Sequence, residues 1–184
     1  MTDVLPGRRL FFALYPQQVL RQQLLREVIE HCPELKVAGV RPVPVTNIHM
    51  TLVFLGGVTA AVQACVEQVA ATVVAPAFSV RLDRLAYWSR KRMLWATPDP
   101  LQVPEGLSIL VESLYQGLSV CDVALESRVY RPHVTLARKL MREPQLGCIE
   151  AVSWTLNHFS LMESVSTPDG VRYSALQSWP LLDY

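Results

Sequence analysis

Two copies of one pattern, histidine, any residue, threonine and leucine, lie 84 residues apart in this chain. The first copy starts at His49 in "NIHMTLVFLG", and the second starts at His133 in "RPHVTLARKL". The chain has only four histidines. Composition alone would place two such matches with a probability of about 3 in 10,000. The pair therefore calls for a functional explanation.

Each copy predicts an imidazole and a hydroxyl side by side. In an extended strand, residues i and i+2 point to the same face, so His49 projects with Thr51 and His133 with Thr135. If the two strands face each other across a cleft, two imidazoles and two hydroxyls meet at one site.

Such a set of groups suits displacement at phosphorus, where the incoming and leaving oxygens lie on opposite sides of the phosphorus. One neutral imidazole can take a proton from the nucleophile, while the other, as imidazolium, gives a proton to the leaving oxygen. Histidine supplies both forms near neutral pH because its ordinary pKa is about 6.5. The threonine hydroxyls can bind the non-bridging phosphate oxygens. We expect neither a metal nor a cofactor, since no carboxylate cluster accompanies the motifs.

The elements that must position these motifs form an α+β pattern with largely antiparallel sheets. Each motif follows an amphipathic helix through a proline-containing approach, which indicates a weak internal duplication. At 184 residues we expect one domain, or two intimate half-domains. The patterns predict helices over 17–32, 59–75 and 104–118, and strands over 8–16, 40–57, 78–88, 92–98, 128–140, 153–164 and 171–181, the last two joined by a turn at 167–170.

Composition narrows the classes of partner. The net charge of +1 does not fit a protein that coats long nucleic acid, although a terminal phosphate needs only a local positive site. The apolar run near the start is too short for a membrane span or a signal core. Cys32, Cys65, Cys121 and Cys148 are widely spaced, which argues against a zinc cluster. We expect a cytoplasmic protein with reduced thiols.

With both motifs in view, the sequence resembles the two-histidine (2H) phosphoesterases. Within them it resembles the RNA 2′,3′-cyclic phosphodiesterases, also called 2′-5′ RNA ligases. The resemblance extends from "RRLFFALYP" through both motifs and "RMLWATP" to "YSALQSWPL". It implies a single bilobed domain over 1–184, with two mostly antiparallel sheets related by a pseudo-two-fold axis, helices outside and a central cleft.

The resemblance also implies metal-independent hydrolysis of 2′,3′-cyclic phosphate ends of RNA or nucleotides to 2′-phosphomonoesters, with 2′-5′ ligation as a related side reaction. His49 would be the proton donor and His133 the proton acceptor. Thr51 and Thr135 would bind the phosphate. The near-symmetry of the two motifs does not itself distinguish acid from base.

Phe54 and Arg138, each five residues after a motif histidine, resemble substrate contacts of the family. The ring and the guanidinium would sandwich the terminal base, and Arg138 would also neutralise phosphate. Strict alternation places i+5 on the opposite face from i, so this hypothesis requires each strand to end or bend there, which Gly56 and Gly57 favour for Phe54. The basic tip Arg90–Arg92 would guide an RNA tail past the cleft.

Two alternatives remain open from sequence. One is a non-catalytic module that binds RNA ends or nucleotides on the same fold, although binding alone would not need two titratable groups. The other is a different 2H phosphodiesterase activity. We expect RNA or nucleotide partners, no membrane and a monomer, but the sequence does not determine the oligomeric state.

Overall fold

The computed structural model of the protein describes residues 7–146, 148–168 and 170–183. Position 169 of the turn predicted over 167–170, and residues 1–6 at the start considered for a signal, lie outside these ranges. The helices are α1 (Gln18–His31), α2 (Ala60–Thr72) and α3 (Glu105–Leu118), and the strands are β1 (Arg8–Leu14), β2 (Arg41–Pro42), β3 (Met50–Val58), β4 (Phe78–Trp88), β5 (Met93–Thr97), β6 (Val134–Arg138), β7 (Cys148–Leu156), β8 (His158–Thr167) and β9 (Gly170–Pro180).

The α+β class is confirmed, but the two predicted sheets are joined into one. The nine strands run β7-β4-β5-β6-β3-β1-β8-β9, with β2 also paired to β6, and all pairings between the strands are antiparallel. The join is narrow, because β3 and β6 share only the pair Met50 and Val134. We call this pair the seam. Apart from β2, four strands lie on each side of the seam, and the motif strand of each half is innermost.

The order of elements supports the duplication inferred from the motifs. In the first half, β1 leads through α1 to β3, which pairs antiparallel with β1. In the second half, β5 leads through α3 to β6, which pairs antiparallel with β5. The helices cross over, since α1 packs against β7 and α3 packs against β3. Each half is thus covered by the other half's helix.

The sheet corrects the strand prediction for the segment 153–164. The segment 153–164 is not one strand, because the chain leaves β7 at Leu156 and enters β8 at His158. β7 pairs with β4 and β8 pairs with β1, so the two strands lie in different halves. Continuous apolar alternation concealed this crossing. The predicted closing hairpin is β8 with β9.

Alternation along the strands separates the core from the opposite face of the sheet. On β1, Leu10, Phe12 and Leu14 are fully buried in the main core beneath the helices. Phe11 and Ala13 face the other side and form a small separate cluster with Met162. This second face carries the site described below.

The expectation of reduced thiols is wrong for two of the four cysteines. Cys65 on α2 and Cys121 just after α3 form a disulfide, with 5.9 Å between their Cα atoms. Packing of α2 against α3 brings these positions together, although they are 56 residues apart in sequence. Cys32 and Cys148 are free thiols.

No helix within the described ranges is long and apolar enough to cross a membrane.

Candidate active site

The two motifs meet at the seam. Each histidine lies one residue before its strand, since β3 begins at Met50 and β6 at Val134. Met50 and Val134 are paired and fully buried, so the residues on either side of them point to the opposite face. In this antiparallel register His49 lies opposite Thr135, and Thr51 lies opposite His133, so the two histidines are diagonal neighbours. The predicted juxtaposition of two imidazoles and two hydroxyls is therefore present.

His49 is held on two sides of its ring. Its Nδ1 lies 2.7 Å from the carbonyl oxygen of Asn47, and its Nε2 lies 3.1 Å from Oγ1 of Thr51. A carbonyl oxygen only accepts, so Nδ1 carries the hydrogen and Nε2 is the atom available for proton transfer. Phe11 and Tyr173 pack against the ring with centroid distances of 5.1 and 4.9 Å. These contacts leave Nε2 as the reactive edge.

His133 has the same tautomer in different surroundings. Its Nδ1 donates to the carbonyl oxygen of Arg131 at 2.8 Å, which again makes Nε2 the free nitrogen of the neutral ring. Trp95 packs edge-on against it, with 5.2 Å between ring centroids. Thr135 donates to Sδ of Met93 at 3.7 Å, whereas Thr51 contacts its histidine. The threonine of the first motif thus contacts its own histidine, whereas the threonine of the second motif contacts Met93.

Both imidazoles favour the neutral form. Burial lowers the pKa of His49 to about 4; the hydrogen bond to Asn47 opposes this shift, and the positive charges of His133 and Arg138 add to it. Burial also lowers the pKa of His133, opposed by its hydrogen bond to Arg131 and assisted by the cations Arg128 and Lys91. The effect of His133 on the pKa of His49 agrees with the closeness of the two rings at the seam.

A β-bulge places Phe54 on the site face. On β1, Ala13 pairs with Thr51, and the next pair joins Phe12 to Val53, which leaves Leu52 without a partner. Leu52 and Val53 are consequently both buried in succession. The alternation is then reversed, and Phe54, 41% exposed, returns to the face of Thr51.

The second motif repeats this bulge and places Arg138 in the same way. Trp95 pairs with Thr135, and the next pair joins Leu94 to Ala137, so Leu136 has no partner on β5. Arg138 is exposed on the face of Thr135. The bend that the substrate-contact hypothesis requires is therefore present in both strands, at the leucine of each motif.

Several supporting residues were not identified from sequence. Tyr130 donates its hydroxyl to the backbone oxygen of Thr51 at 3.1 Å, and burial raises its pKa, so the approach to His133 is tied to β3. Asn47 donates its side-chain amide to the backbone oxygen of Val171 at 2.6 Å, which fixes the carbonyl that holds His49. These contacts join distant segments and leave no local pattern.

The ring partners of the histidines were also not identified from sequence. Phe11 and Trp95 both lie on the strand before the helix of their half, but at positions that are not equivalent, since Phe11 pairs with Phe54 and Trp95 pairs with Thr135. Tyr173 lies on β9, outside the repeated unit.

Phe54 also lines a groove of about 540 Å³ between the end of β3 and the segment 122–126.

Among the described residues, no group of three or more histidine, cysteine, aspartate or glutamate side chains is arranged to hold a metal ion. In the basic tip, Nζ of Lys91 lies 4.0 Å from the centroid of the Trp88 ring. The positive charge of Lys91 also helps to lower the pKa of His133.

Comparison with known proteins places this site in a family. The model of the "2′-5′ RNA ligase superfamily" matches residues 19–167. The chain is 31% identical to an RNA 2′,3′-cyclic phosphodiesterase of Escherichia coli (strain K12), covering 95% of this chain and 97% of the relative. It is 28% identical to a protein of the same name from Thermus thermophilus, covering 94% and 90%.

Solved structures agree with the sequence matches. A crystal structure of E. coli LigT complexed with 3′-AMP superposes with a TM-score of 0.86 at 29% identity, covering 96% of this chain and 99% of that one. The MHV ns2 PDE domain shares the fold, with a TM-score of 0.59 at 16% identity, covering 86% of this chain and 99% of that one. The chain, with its paired His-x-Thr motifs on a shared face, belongs to the 2′-5′ RNA ligase superfamily, within the 2H phosphoesterases.

Proposed function

We propose that this protein is an RNA 2′,3′-cyclic phosphodiesterase that opens terminal cyclic phosphates to 2′-phosphomonoesters. One observation carries the proposal: two histidines in the same tautomer present Nε2 on one face, on either side of the Met50–Val134 pair. The curated relatives that match nearly the whole chain are named for this activity.

In the proposed reaction, water attacks phosphorus opposite the 3′ oxygen. Nε2 of His133 takes the proton of the water, and protonated Nε2 of His49 gives its proton to the leaving 3′ oxygen. The bond between phosphorus and the 3′ oxygen breaks while the bond to water forms, and the phosphate stays on the 2′ oxygen. Solvent then restores both protonation states. Ligation is the same exchange with an RNA 5′-hydroxyl in place of water.

The donor role of His49 depends on the substrate's charge. A ring with a pKa of about 4 is neutral at pH 7. An anionic phosphate beside the ring favours the imidazolium and raises the pKa, so binding the cyclic phosphate would charge His49 as the reaction requires. The proton donor would therefore form mainly in the complex with substrate.

Four further residues bind the substrate in this proposal. The hydroxyls of Thr51 and Thr135 and the guanidinium of Arg138 hold the phosphate oxygens. Phe54 and Arg138 occupy equivalent positions beyond the two bulges, which supports their enclosing the terminal base between a ring and a guanidinium plane. No second copy is needed, since one sheet carries both motifs. We propose a monomer of a single bilobed domain that acts on RNA ends in the cytoplasm.

The test is turnover of a panel of nucleoside 2′,3′-cyclic phosphates and oligonucleotides with cyclic ends, with and without EDTA. Phosphorus NMR distinguishes a 2′-phosphomonoester product from a 3′ product. We expect the 2′ product at an unchanged rate in EDTA. Binding without turnover would instead support the module that only binds RNA ends, and a different product would support another 2H activity.

A further inference from the structure

The short strand β2 places a second arginine beside Arg138. Arg41 pairs with Arg138, and Pro42 pairs with Ala137, across the β2–β6 ladder. The backbone nitrogen of Val43 donates to the oxygen of Leu136 at 2.8 Å and extends this attachment. The register of Arg41 against Arg138 is therefore set by the backbone.

Directly paired residues of an antiparallel ladder project from the same face, with about 4.5–5.5 Å between their Cα atoms. Arg41 therefore shares a face with Arg138, which the bulge at Leu136 places on the site face. Both arginines are exposed, and neither forms an ion pair with any residue in the described parts of the chain. Like charges opposed in this way destabilise a sheet. An anion bound between the two guanidinium groups would remove that cost.

The position of the pair relative to the histidines indicates which anion fits. β2 pairs with β6 farther along the strand than the seam, and the chain then passes through the segment 43–48 to His49 of the first motif. Arg138 lies three residues beyond Thr135, roughly 10 Å along the strand, and its positive charge reaches His49. Arg138 is thus the member of the pair beside the expected position of the reacting phosphate, and Arg41 is the member farther from it.

We propose that Arg41, together with Arg138, binds the phosphodiester that precedes the cyclic end, so that the site takes oligonucleotide ends in preference to free cyclic nucleotides. This inference rests on the proposed function and adds a second phosphate site to it. Arginine matches phosphate through paired hydrogen bonds, and two arginines can engage both non-bridging oxygens.

The first experiment compares kcat/KM for a cyclic mononucleotide and for a dinucleotide with the same cyclic end. We expect Arg41→Ala to lower the value for the dinucleotide about tenfold and that for the mononucleotide less than twofold. Arg26→Ala, which removes an exposed arginine of α1, is the matched control and should change neither. Replacing the internal phosphodiester by an uncharged methylphosphonate should remove the difference between wild type and Arg41→Ala. Equal effects on both substrates, or no effect on either, would overturn the proposal.

A binding experiment separates this proposal from the catalytic one. The affinity of the inactive His133→Ala variant for a fluorescent oligonucleotide with a 2′-phosphate end is measured over a range of salt concentrations. Adding Arg41→Ala should weaken binding and reduce the slope of log K against log salt by about 0.7, the value for one contact with a single strand. An unchanged slope refutes the second phosphate site even if turnover is found. A reduced slope supports it even if no cyclic phosphate is hydrolysed.

Discussion

The two halves of the sheet carry the same four-residue motif in different surroundings. In the first half, His49 lies against Phe11 and Tyr173, and its Nε2 contacts the hydroxyl of Thr51. In the second half, His133 contacts only one aromatic ring within the described residues, that of Trp95, and it lies in the field of nearby cations. The backbone scheme is shared, and the side-chain environment is not.

This difference shows how a duplicated motif can supply two chemical roles. Each half uses the carbonyl two residues before the histidine to fix the tautomer, and each uses a bulge at the motif leucine. The roles must then be separated by what lies around the rings. Beyond the bulges, one half presents the aromatic ring of Phe54 and the other the guanidinium of Arg138.

Removing either imidazole should produce the largest effect. We expect His49→Ala and His133→Ala each to lower kcat for a cyclic nucleotide by about 10²- to 10⁴-fold, because each removes one proton transfer. The double variant should lose little more than the worse single variant, since the two groups act as a unit. Release of the 2′-phosphate measures the rates. A rate that survives either single substitution would refute the paired acid–base mechanism.

The leaving group separates the two roles. A p-nitrophenyl phosphodiester needs little protonation of its leaving oxygen, so His49→Ala should retain much more of the wild-type rate on that substrate than His133→Ala does. The opposite result would exchange the donor and acceptor assignments.

The residues beyond the bulges should give smaller and unequal losses. Arg138→Ala removes a charge-assisted contact to phosphate, so we expect kcat/KM to fall by roughly 10- to 100-fold. Phe54→Ala removes only stacking on a base, so we expect about a tenfold rise in KM with kcat nearly unchanged. Steady-state kinetics on a cyclic mononucleotide distinguishes the two patterns, and Phe54→Tyr, which keeps a ring, is the control. Equal effects on kcat would show that the asymmetry of these positions has no functional meaning.

The local patterns predicted most of what lies near the motifs. Alternation placed His49 with Thr51 and His133 with Thr135 on one face, because that rule depends only on the extended backbone. It did not show the bulges at Leu52 and Leu136, because an unpaired residue is a property of two strands. Phe54 and Arg138 therefore came from the resemblance, against the alternation rule.

The sequence patterns also did not predict contacts between residues far apart in the chain, for a related reason. The contact of Tyr130 with Thr51 spans 79 residues, and β2 has only two residues, one of them a proline that cannot donate to the ladder. Neither has a periodic signature. The crossing from β7 to β8 at Asn157 was also concealed, because the apolar alternation continues through it. Such features follow from the order of strands in the sheet, which local sequence patterns do not encode.

The two threonines should differ by a factor that reflects their contacts. Both Thr51→Val and Thr135→Val remove a hydroxyl from the proposed phosphate site, which we expect to cost about tenfold in kcat/KM. Thr51→Val also removes the 3.1 Å contact with Nε2 of His49, so its loss should be a few times greater and should shift the pH dependence. The matched Ser variants keep the hydroxyl and should restore most activity. Identical pH profiles for both Val variants would show that the Thr51 contact does not tune His49.

The lowered pKa of His49 should appear as a dependence of stability on pH, independent of any substrate. The unfolded chain protonates this histidine near its ordinary pKa of 6.5, whereas the folded protein resists protonation until about pH 4. Between these values the unfolded state binds more protons, so the free energy of unfolding should decrease as pH falls from about 6.5 to 4. Urea unfolding at a series of pH values measures this slope, and His49→Gln should reduce it. His158→Gln, at an exposed histidine of β8, is the control and should leave the slope unchanged.

Because a bound anion favours the imidazolium, adding inorganic phosphate should also move the NMR titration of His49 to higher pH. A titration near pH 6.5 without phosphate would show that burial does not separate this ring from an ordinary histidine, and the asymmetry between the halves would then have to come from the cations around His133.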